Sequence, residues 1–339
     1  MNEKVTIYDI AKKLKTSAAT VSRALNNNPN ISESMRQLVF ETAKKMNYKQ
    51  NKLALALKSG KSNNVGVIVP YIDRSFFSSI IRGIEDELYP RGYRVIISQT
   101  HETEQKEIDT INMLLNAQVD GILMSVSKFT ATNSHFKRVL DNNIPLVFFD
   151  RRYKMKGVSS VVIDDFQGGF DATNHLIKLG CKHIAHISGD MSLEIYRNRY
   201  EGYKTAIEDA GLEFNPTYVI ESKNDIEAGQ TAVDFLLNLE TPPNAIFSSS
   251  DYVALGVIQK LKERGFNVPQ DFCVVGFSNE PFTKFMELTM STVDQCTVEM
   301  GKMAALVFLE QVKNSKIKIE KKVQLSPQLI IRGSSSKKL

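Results

Sequence analysis

Hydrophobic positions follow two different rhythms along this chain, and the change falls near residue 64. Before it the spacing is helical. Ile10, Ala11 and Leu14 share one face, Val21, Ala24 and Leu25 a second, and Met35, Leu38, Val39, Thr42, Ala43 and Met46 a third. Each stretch has its own start signal. Thr6 with Asp9 three residues on makes a capping-box-like opening, and Ser17 and Ser32 are N-caps for the next two. The Asn-rich run 26–30 reads as a loop. Residues 7–47 are therefore predicted to form three helices around a small core of marginal stability. Leu53, Ala54, Ala56 and Leu57 then outline a helix of about two turns ended by Gly60, too short to persist alone because helix nucleation is costly. It is expected to order only against a partner.

From residue 64 onward, short apolar runs alternate with amphipathic stretches. Runs at 65–69, 93–98, 120–126, 146–150 and 158–163 read as buried strands, with helices at 78–88, 106–116 and 134–141. A second set repeats the plan, with strands at 183–188, 218–221, 245–249, 273–277 and 291–293 and helices at 200–210, 226–239 and 252–264. Gly92, Gly180, Gly211 and Gly265 stand at helix–strand joints, where a C-cap favours glycine. Strict alternation predicts parallel sheets covered on both faces. Two sets in series predict two similar doubly wound lobes with a cleft between them.

The charge distribution separates the two parts further. Residues 1–61 hold 12 Lys and Arg against four Asp and Glu, a net of +8, whereas the remainder, with 31 bases and 34 acids, carries −3. A basic head on a mildly acidic body is the footprint of a polyanion-binding module. The three cysteines, Cys181, Cys273 and Cys296, are odd in number and far apart, which suits reduced thiols. The apolar runs are strand-length, and Met1 leads directly into a polar helical pattern, so a cytoplasmic protein is expected, with no membrane partner.

Chemistry-bearing motifs are few. Neither a GxGxxG after the first strand, nor a P-loop, nor a GxSxG elbow occurs. His183 and His186 lie in a strand pattern that points them to opposite faces, which is poor for shared metal ligation. Asp164 and Asp165 suit helix capping or ligand hydrogen bonding better than paired acid catalysis. No cofactor, metal or catalytic residue is expected. The second head helix is the most suggestive element. It follows the first after a very short connection, starts at Ser17 and shows Ala18, Ala19, Ser22 and Arg23 on its outer side, as a helix-turn-helix needs to enter a DNA major groove.

These residues resemble a known family. Val5 to Ala11 and Thr20 to Asn26 are similar to the head of lactose-repressor/galactose-repressor (LacI/GalR) transcription factors. The likeness continues through 65–70, 148–151, 199–203, 274–277, 291–295 and 327–335. It implies an all-α helix-turn-helix head, residues 1–50, and a hinge, 51–62. Residues 63–335 would then form a two-lobed α/β sensor like a type I periplasmic-binding protein, with crossovers near 163, 291 and 325. It implies double-stranded DNA with a pseudo-palindromic operator, a homodimer, and a small-molecule effector, a sugar or sugar derivative, as partners.

Residue by residue, the resemblance assigns base reading to Ala18, Ala19 and Arg23, since arginine can pair bidentately with guanine and alanine can meet a thymine methyl. Ser17, Thr20 and Ser22 become phosphate contacts, and Thr6 and Asn26 join the same DNA-facing set. Leu57, beside Ala54, becomes a minor-groove wedge. The effector set is Phe76, Phe77, Asp150, Arg199, Asn224, Ser250, Ser278 and Gln295. The chain departs from the family at several positions. Asn224 stands where an aromatic is frequent, Ser278 and Asn279 where acids are common, Cys296 and Gln50 where proline is usual, and Leu55 replaces a common polar or basic residue. Fewer acids would favour an anionic effector. The expected function is a sequence-specific repressor in which effector and operator affinities are linked reciprocally. A transport-type solute-binding protein shares the body pattern but not the basic head, and an α/β enzyme lacks a catalytic constellation here.

Overall fold

The computed structural model describes residues 5–49, 61–313 and 320–336, and the chain divides into two units between Ser62 and Asn63. The first unit holds α1 (Ile7–Lys13), α2 (Ala18–Leu25) and α3 (Glu33–Lys45). Its start signals behave as expected. The Asp9 carboxylate accepts from the Thr6 amide at 2.8 Å and the Thr6 hydroxyl at 2.7 Å, and these bonds hold the Asp9 carboxyl below its ordinary pKa. Ser17 Oγ accepts from the Thr20 amide at 3.1 Å, and Ser32 Oγ from that of Met35 at 3.4 Å. Ile10, Ala11, Val21, Ala24, Val39 and Ala43 form the core. Two placements differ from the pattern. Leu38 is 46% exposed, because the two short helices facing α3 cover only a narrow stripe through Val39, Thr42 and Ala43. Ala18, expected on the outer side, is half-buried against the core. The hinge positions Gln50, Ala54, Leu55 and Leu57 lie outside the described residues.

The second unit is a pair of α/β lobes. The first lobe begins with β1 (Asn64–Val69), α4 (Ser75–Leu88), β2 (Arg94–Gln99), α5 (Glu104–Asn116), β3 (Gly121–Met124), α6 (Ser134–Asp141), β4 (Leu146–Phe149) and β5 (Ser159–Ile163). The chain then crosses over. The second lobe comprises α7 (Asp165–Lys178), β6 (Ile184–Ser188), α8 (Glu194–Asp209), β7 (Val219–Glu221), α9 (Ile226–Leu237), β8 (Ala245–Ser248), α10 (Asp251–Glu263), β9 (Cys273–Phe277) and β10 (Ser291–Asp294). It returns to the first lobe for α11 (Thr297–Lys313) and β11 (Lys322–Leu325), and ends in the second with β12 (Gln328–Ile330).

The sheets have the same topology, β11-β5-β4-β3-β1-β2 and β12-β10-β9-β8-β6-β7. Every pairing is parallel except that of β10 with β12. Each sheet is covered on both faces, so its central strands are buried throughout, as in Leu146–Phe149 and Ala245–Ser248, while the outer strands β2, β7, β11 and β12 stay partly exposed. One apolar cluster lies against each face, two per lobe. Cys181 and Cys273 are buried and Cys296 is half-buried.

Three of the four helix layers are joined in the same way. At the α4–α11 crossing a Cβ on Gly83 would lie 2.1 Å from the Val298 carbonyl oxygen, and one on Gly301 would lie 2.1 Å from that of Ile80. The backbones themselves are in contact there, and only glycine fits. Gly169 with Gly202 does the same between α7 and α8, and Gly229 with Gly256 between α9 and α10. The fourth layer, α5 with α6, is joined by polar groups. Glu107, fully buried, accepts from His135 Nε2 at 2.8 Å, Thr130 Oγ1 at 2.8 Å and the Ser127 amide at 2.9 Å.

Candidate functional site

In each lobe the strand order reverses beside the first strand of the set, and loops at the carboxyl ends of the strands open into the space between lobes. Such switch points are where α/β sheets bind ligands. A cavity of about 390 Å³ lies there, with Ser127, Asp150 and Ile163 on the first-lobe side and Asp165, Ile195 and Asn198 on the second. That volume suits a small molecule.

Behind the second-lobe wall, Arg199 is 3% exposed and organises its neighbours. Its Nε donates to Asp165 at 2.8 Å, Nη1 to the Ser249 carbonyl at 2.9 Å and Nη2 to Gln295 Oε1 at 3.2 Å. The guanidinium also sits 3.7 Å from the centre of the Phe277 ring. Gln295 in turn donates to Ser278 Oγ at 2.9 Å. Burial pushes Asp165 up to about 6, with the adjacent Arg199 acting in the opposite direction. Asp150, at the end of β4, adopts a left-handed backbone with φ +59° and accepts from Ser125 Oγ at 2.9 Å. Its burial likewise raises its pKa, against the pull of Arg151.

Arg199, Gln295 and Ser278 are thus bonded in series, and Arg199 acts electrostatically on Asp150 from the other lobe. Asn224 donates instead to the Tyr196 hydroxyl. Ser250 stands at the start of α10. Phe76 is half-buried near the start of α4, edge-on to Phe77, whose side chain is 5% exposed within the first-lobe core. Of the eight expected effector residues only Asp150 lines the cavity itself. Residues that pattern reading missed are Tyr196 and the charged positions Lys128, Arg152, Lys154 and Glu194, whereas Asp165, read as suiting either a helix cap or ligand hydrogen bonding, lines the cavity. The neighbouring Asp164 caps α7, accepting from the Gln167 amide at 2.9 Å. Asp165 differed only in following it, which is too weak a signal to separate ligand wall from cap.

His186 is a core residue. It is stacked between Tyr203 and Phe247, and its burial lowers its pKa to about 3, while His183 is exposed just ahead of β6. Among the described residues no group of three His, Cys, Asp or Glu is placed to hold a metal ion. No helix among them is long and apolar enough to cross a membrane.

In the head, Ser17, Ala19 and Arg23 are exposed on α2, with Thr20 and Ser22 half-exposed between them. Thr6 and Asn26 are exposed at the ends of the two-helix unit. Ser17 Oγ and Thr20 Oγ1 lie 2.9 Å apart, and the Asn26 amide donates to the Ser22 carbonyl at 2.7 Å. The other arginine of this unit, Arg36, is paired with Glu33 at 2.7 Å.

Comparison with known proteins matches both units. A family model described as "Bacterial regulatory proteins, lacI family" covers residues 6–51, and one described as "Periplasmic binding proteins and sugar binding domain of LacI family" covers residues 62–331. Catabolite control protein A of Priestia megaterium is 35% identical over 332 residues, 98% of this chain and 99% of that protein. The HTH-type transcriptional repressor CytR of Escherichia coli K12 is 34% identical, spanning 97% of this chain and 96% of its own. Among solved structures, the transcriptional regulator CelR–cellobiose complex superposes with a TM-score of 0.74 at 25% identity, covering 98% of this chain and all of that one.

Proposed function

The chain belongs to the LacI family of bacterial regulatory proteins, and from that premise we propose that it is a cytoplasmic, homodimeric transcriptional repressor released or recruited by a sugar or sugar derivative. It is not an enzyme; CytR, its full-length relative, is a transcriptional repressor. The head, 1–50, binds DNA, the stretch 51–62 is the hinge, and 63–335 is the effector and dimerisation domain.

The observation that carries this reading is the capped α2, which leaves Arg23 and Ala19 exposed on one side and buries Val21 and Ala24 on the other. Arg23 reads base edges, and Ala18 and Ala19 supply apolar contact. Ser17, Thr20 and Ser22, with Thr6 and Asn26 beside them, fix register on the phosphates. Ala54 and Leu57 act in the minor groove. In the sensor, Asp150 and the Arg199–Gln295–Ser278 series hold the effector, with Phe76, Asn224 and Ser250 at the margins of the cleft. The sugar-bound relative supports a carbohydrate effector.

The test is selection of bound duplexes from a random DNA pool, followed by thermal-shift screening of sugars and sugar phosphates. A two-fold symmetric sequence should be enriched, and Arg23→Ala should reduce preference for it by about tenfold or more, the loss of one bidentate base contact. An Arg23→Ala protein that retains the full preference would remove Arg23 from base reading.

A further inference from the structure

The two walls of the cavity are joined along one side by ion pairs of uniform polarity. Lys128, in the loop after β3, lies with Nζ 2.7 Å from Asp190 Oδ2, in the loop after β6. Arg152 and Lys154, after β4, each come within 3.2 Å of one oxygen of Glu194 at the start of α8. All three cations belong to the first lobe and both carboxylates to the second. Four of these five residues, Lys128, Arg152, Lys154 and Glu194, line the cavity. Asp190 is held down at about 2, chiefly by the hydrogen bond from Lys128.

The loop that carries Lys128 is itself clamped by carboxylates. Glu102 accepts from the Lys128 amide at 2.7 Å and from both terminal nitrogens of Arg151 at 2.9 Å. Glu107 accepts from the Ser127 amide at 2.9 Å, and Glu104 from the Thr132 amide at 2.7 Å. Three acids at or just before the start of α5 therefore fix the backbone from 127 to 132. Glu102 also couples that loop to the β4 loop, from which Arg152 and Lys154 reach across. The cations are presented by a rigid frame and do not hang on mobile side chains alone. Across the lobes on the α4 side, contact is of another kind, with the Ser75 hydroxyl donating to Glu280 and the Arg74 guanidinium 5.1 Å from the Tyr252 ring centre.

We propose that the Lys128–Asp190 pair and the Arg152/Lys154–Glu194 cluster form an electrostatic latch between the lobes, so that opening of this side of the cavity is governed by ionic strength. The side chains involved are partly exposed, between 27% and 32% for the Lys128–Asp190 pair. Salt therefore reaches them, and it does not reach the buried Arg199–Asp165 pair behind.

The test is hydrogen exchange by mass spectrometry on the full chain, reading segments 126–132 and 190–198 together. Neither DNA nor an effector is needed, so the result is independent of the regulatory reading. Lys128→Glu should speed exchange in both segments by about fivefold, the scale of an exposed ion pair. The double variant Lys128→Glu with Asp190→Lys should restore protection. For the unaltered chain, raising salt to about 1 M, where the Debye length is about 3 Å, should move both segments toward the single variant. A change confined to 126–132, or a double variant no better protected than the single, overturns the latch. Strands β3 and β6 report folding in each sample. Should Lys128→Glu unfold the chain, the salt series on the unaltered protein decides, and salt-independent exchange in both segments rejects the proposal.

Discussion

The two lobes share a sheet topology but are held together differently, and the difference lies in their helix layers. In the second lobe both layers are backbone-to-backbone crossings at paired glycines, Gly169 with Gly202 and Gly229 with Gly256. In the first lobe only the layer of α4 and α11 is built so, at Gly83 and Gly301. The other is centred on the buried Glu107–His135 pair. A glycine crossing maximises contact between two rigid cylinders and places no polar group at risk. A buried carboxylate does the opposite. It couples α5 and α6 to the loop that lines the cavity, at the cost of a site that fails badly if one partner is removed. The first lobe has accepted that vulnerability on the layer that also positions Lys128.

The sharpest way to break this comparison is Glu107→Ala. It would leave His135 Nε2, Thr130 Oγ1 and the Ser127 amide without their acceptor, with His135 and Ser127 buried and Thr130 partly so. Removing one partner of a buried pair costs about 3–5 kcal/mol, and that loss is expected in urea unfolding. Glu107→Gln should recover part of it, since an amide oxygen can still accept. A loss below about 1 kcal/mol, within the range of ordinary surface substitutions, would mean that water replaces the carboxylate and that the layer is not held by it.

The glycine crossings should rank next. Gly301→Ala drives a methyl into the Ile80 carbonyl, so α4 and α11 must part. Overpacking of this kind costs about 1–3 kcal/mol, offset in part by the better helix propensity of alanine. Gly256→Ala in the second lobe meets the Ile226 carbonyl at 2.0 Å and should cost the same. Matched losses in the two lobes would establish the crossing as one shared device. A neutral Gly301→Ala with a costly Gly256→Ala would show that the first lobe can slide its helices apart where the second cannot.

These distinctions separate what the sequence reveals from what it conceals. Alternating apolar runs announced both sheets, because a strand buried on two faces has a nearly continuous apolar signature. Helix α11 was not anticipated: Val298, Met300, Met303, Ala304, Ala305, Val307 and Phe308 leave little polar contrast, and its partners lie in a lobe the chain had left far upstream. The edge strands β11 and β12 are only four and three residues long, too short for alternation to register. In the head, N-caps and periodicity placed all three helices, although periodicity overstated how far Leu38 is covered. At the cleft, the Arg199 cluster was reached through resemblance. The Lys128–Asp190 contact was invisible, since two charged loop residues 62 positions apart carry no period. Pairing across a cleft is a property of the fold, and no local pattern encodes it.

The smallest effect concerns how the lobes end their helices. Helices α5 and α8 finish in the same hydrogen-bonded turn. After α5 the Gln118 amide reaches the Leu115 carbonyl at 3.0 Å and the Val119 amide reaches Leu114 at 3.3 Å. After α8 the Gly211 amide reaches Glu208 at 3.0 Å and the Leu212 amide reaches Ile207 at 3.1 Å. Both turns need a left-handed residue, with φ +55° at Gln118 and +68° at Gly211, and both positions are exposed. A Cβ at Gly211 would meet nothing within 4 Å, so this site tests backbone strain free of any steric clash. The left-handed conformation costs a non-glycine residue roughly 1–2 kcal/mol, while glycine gives up about 0.5–1 kcal/mol in chain entropy on folding. Gln118→Gly should therefore stabilise the first lobe by about 0.5–1 kcal/mol, and Gly211→Gln should destabilise the second by the same amount. Equal and opposite shifts in the urea midpoint would show that the lobes differ here only in residue choice on a common turn. Gly211→Gln losing as much as Gly301→Ala would instead mean that the exposed turn is under a constraint beyond its backbone angle.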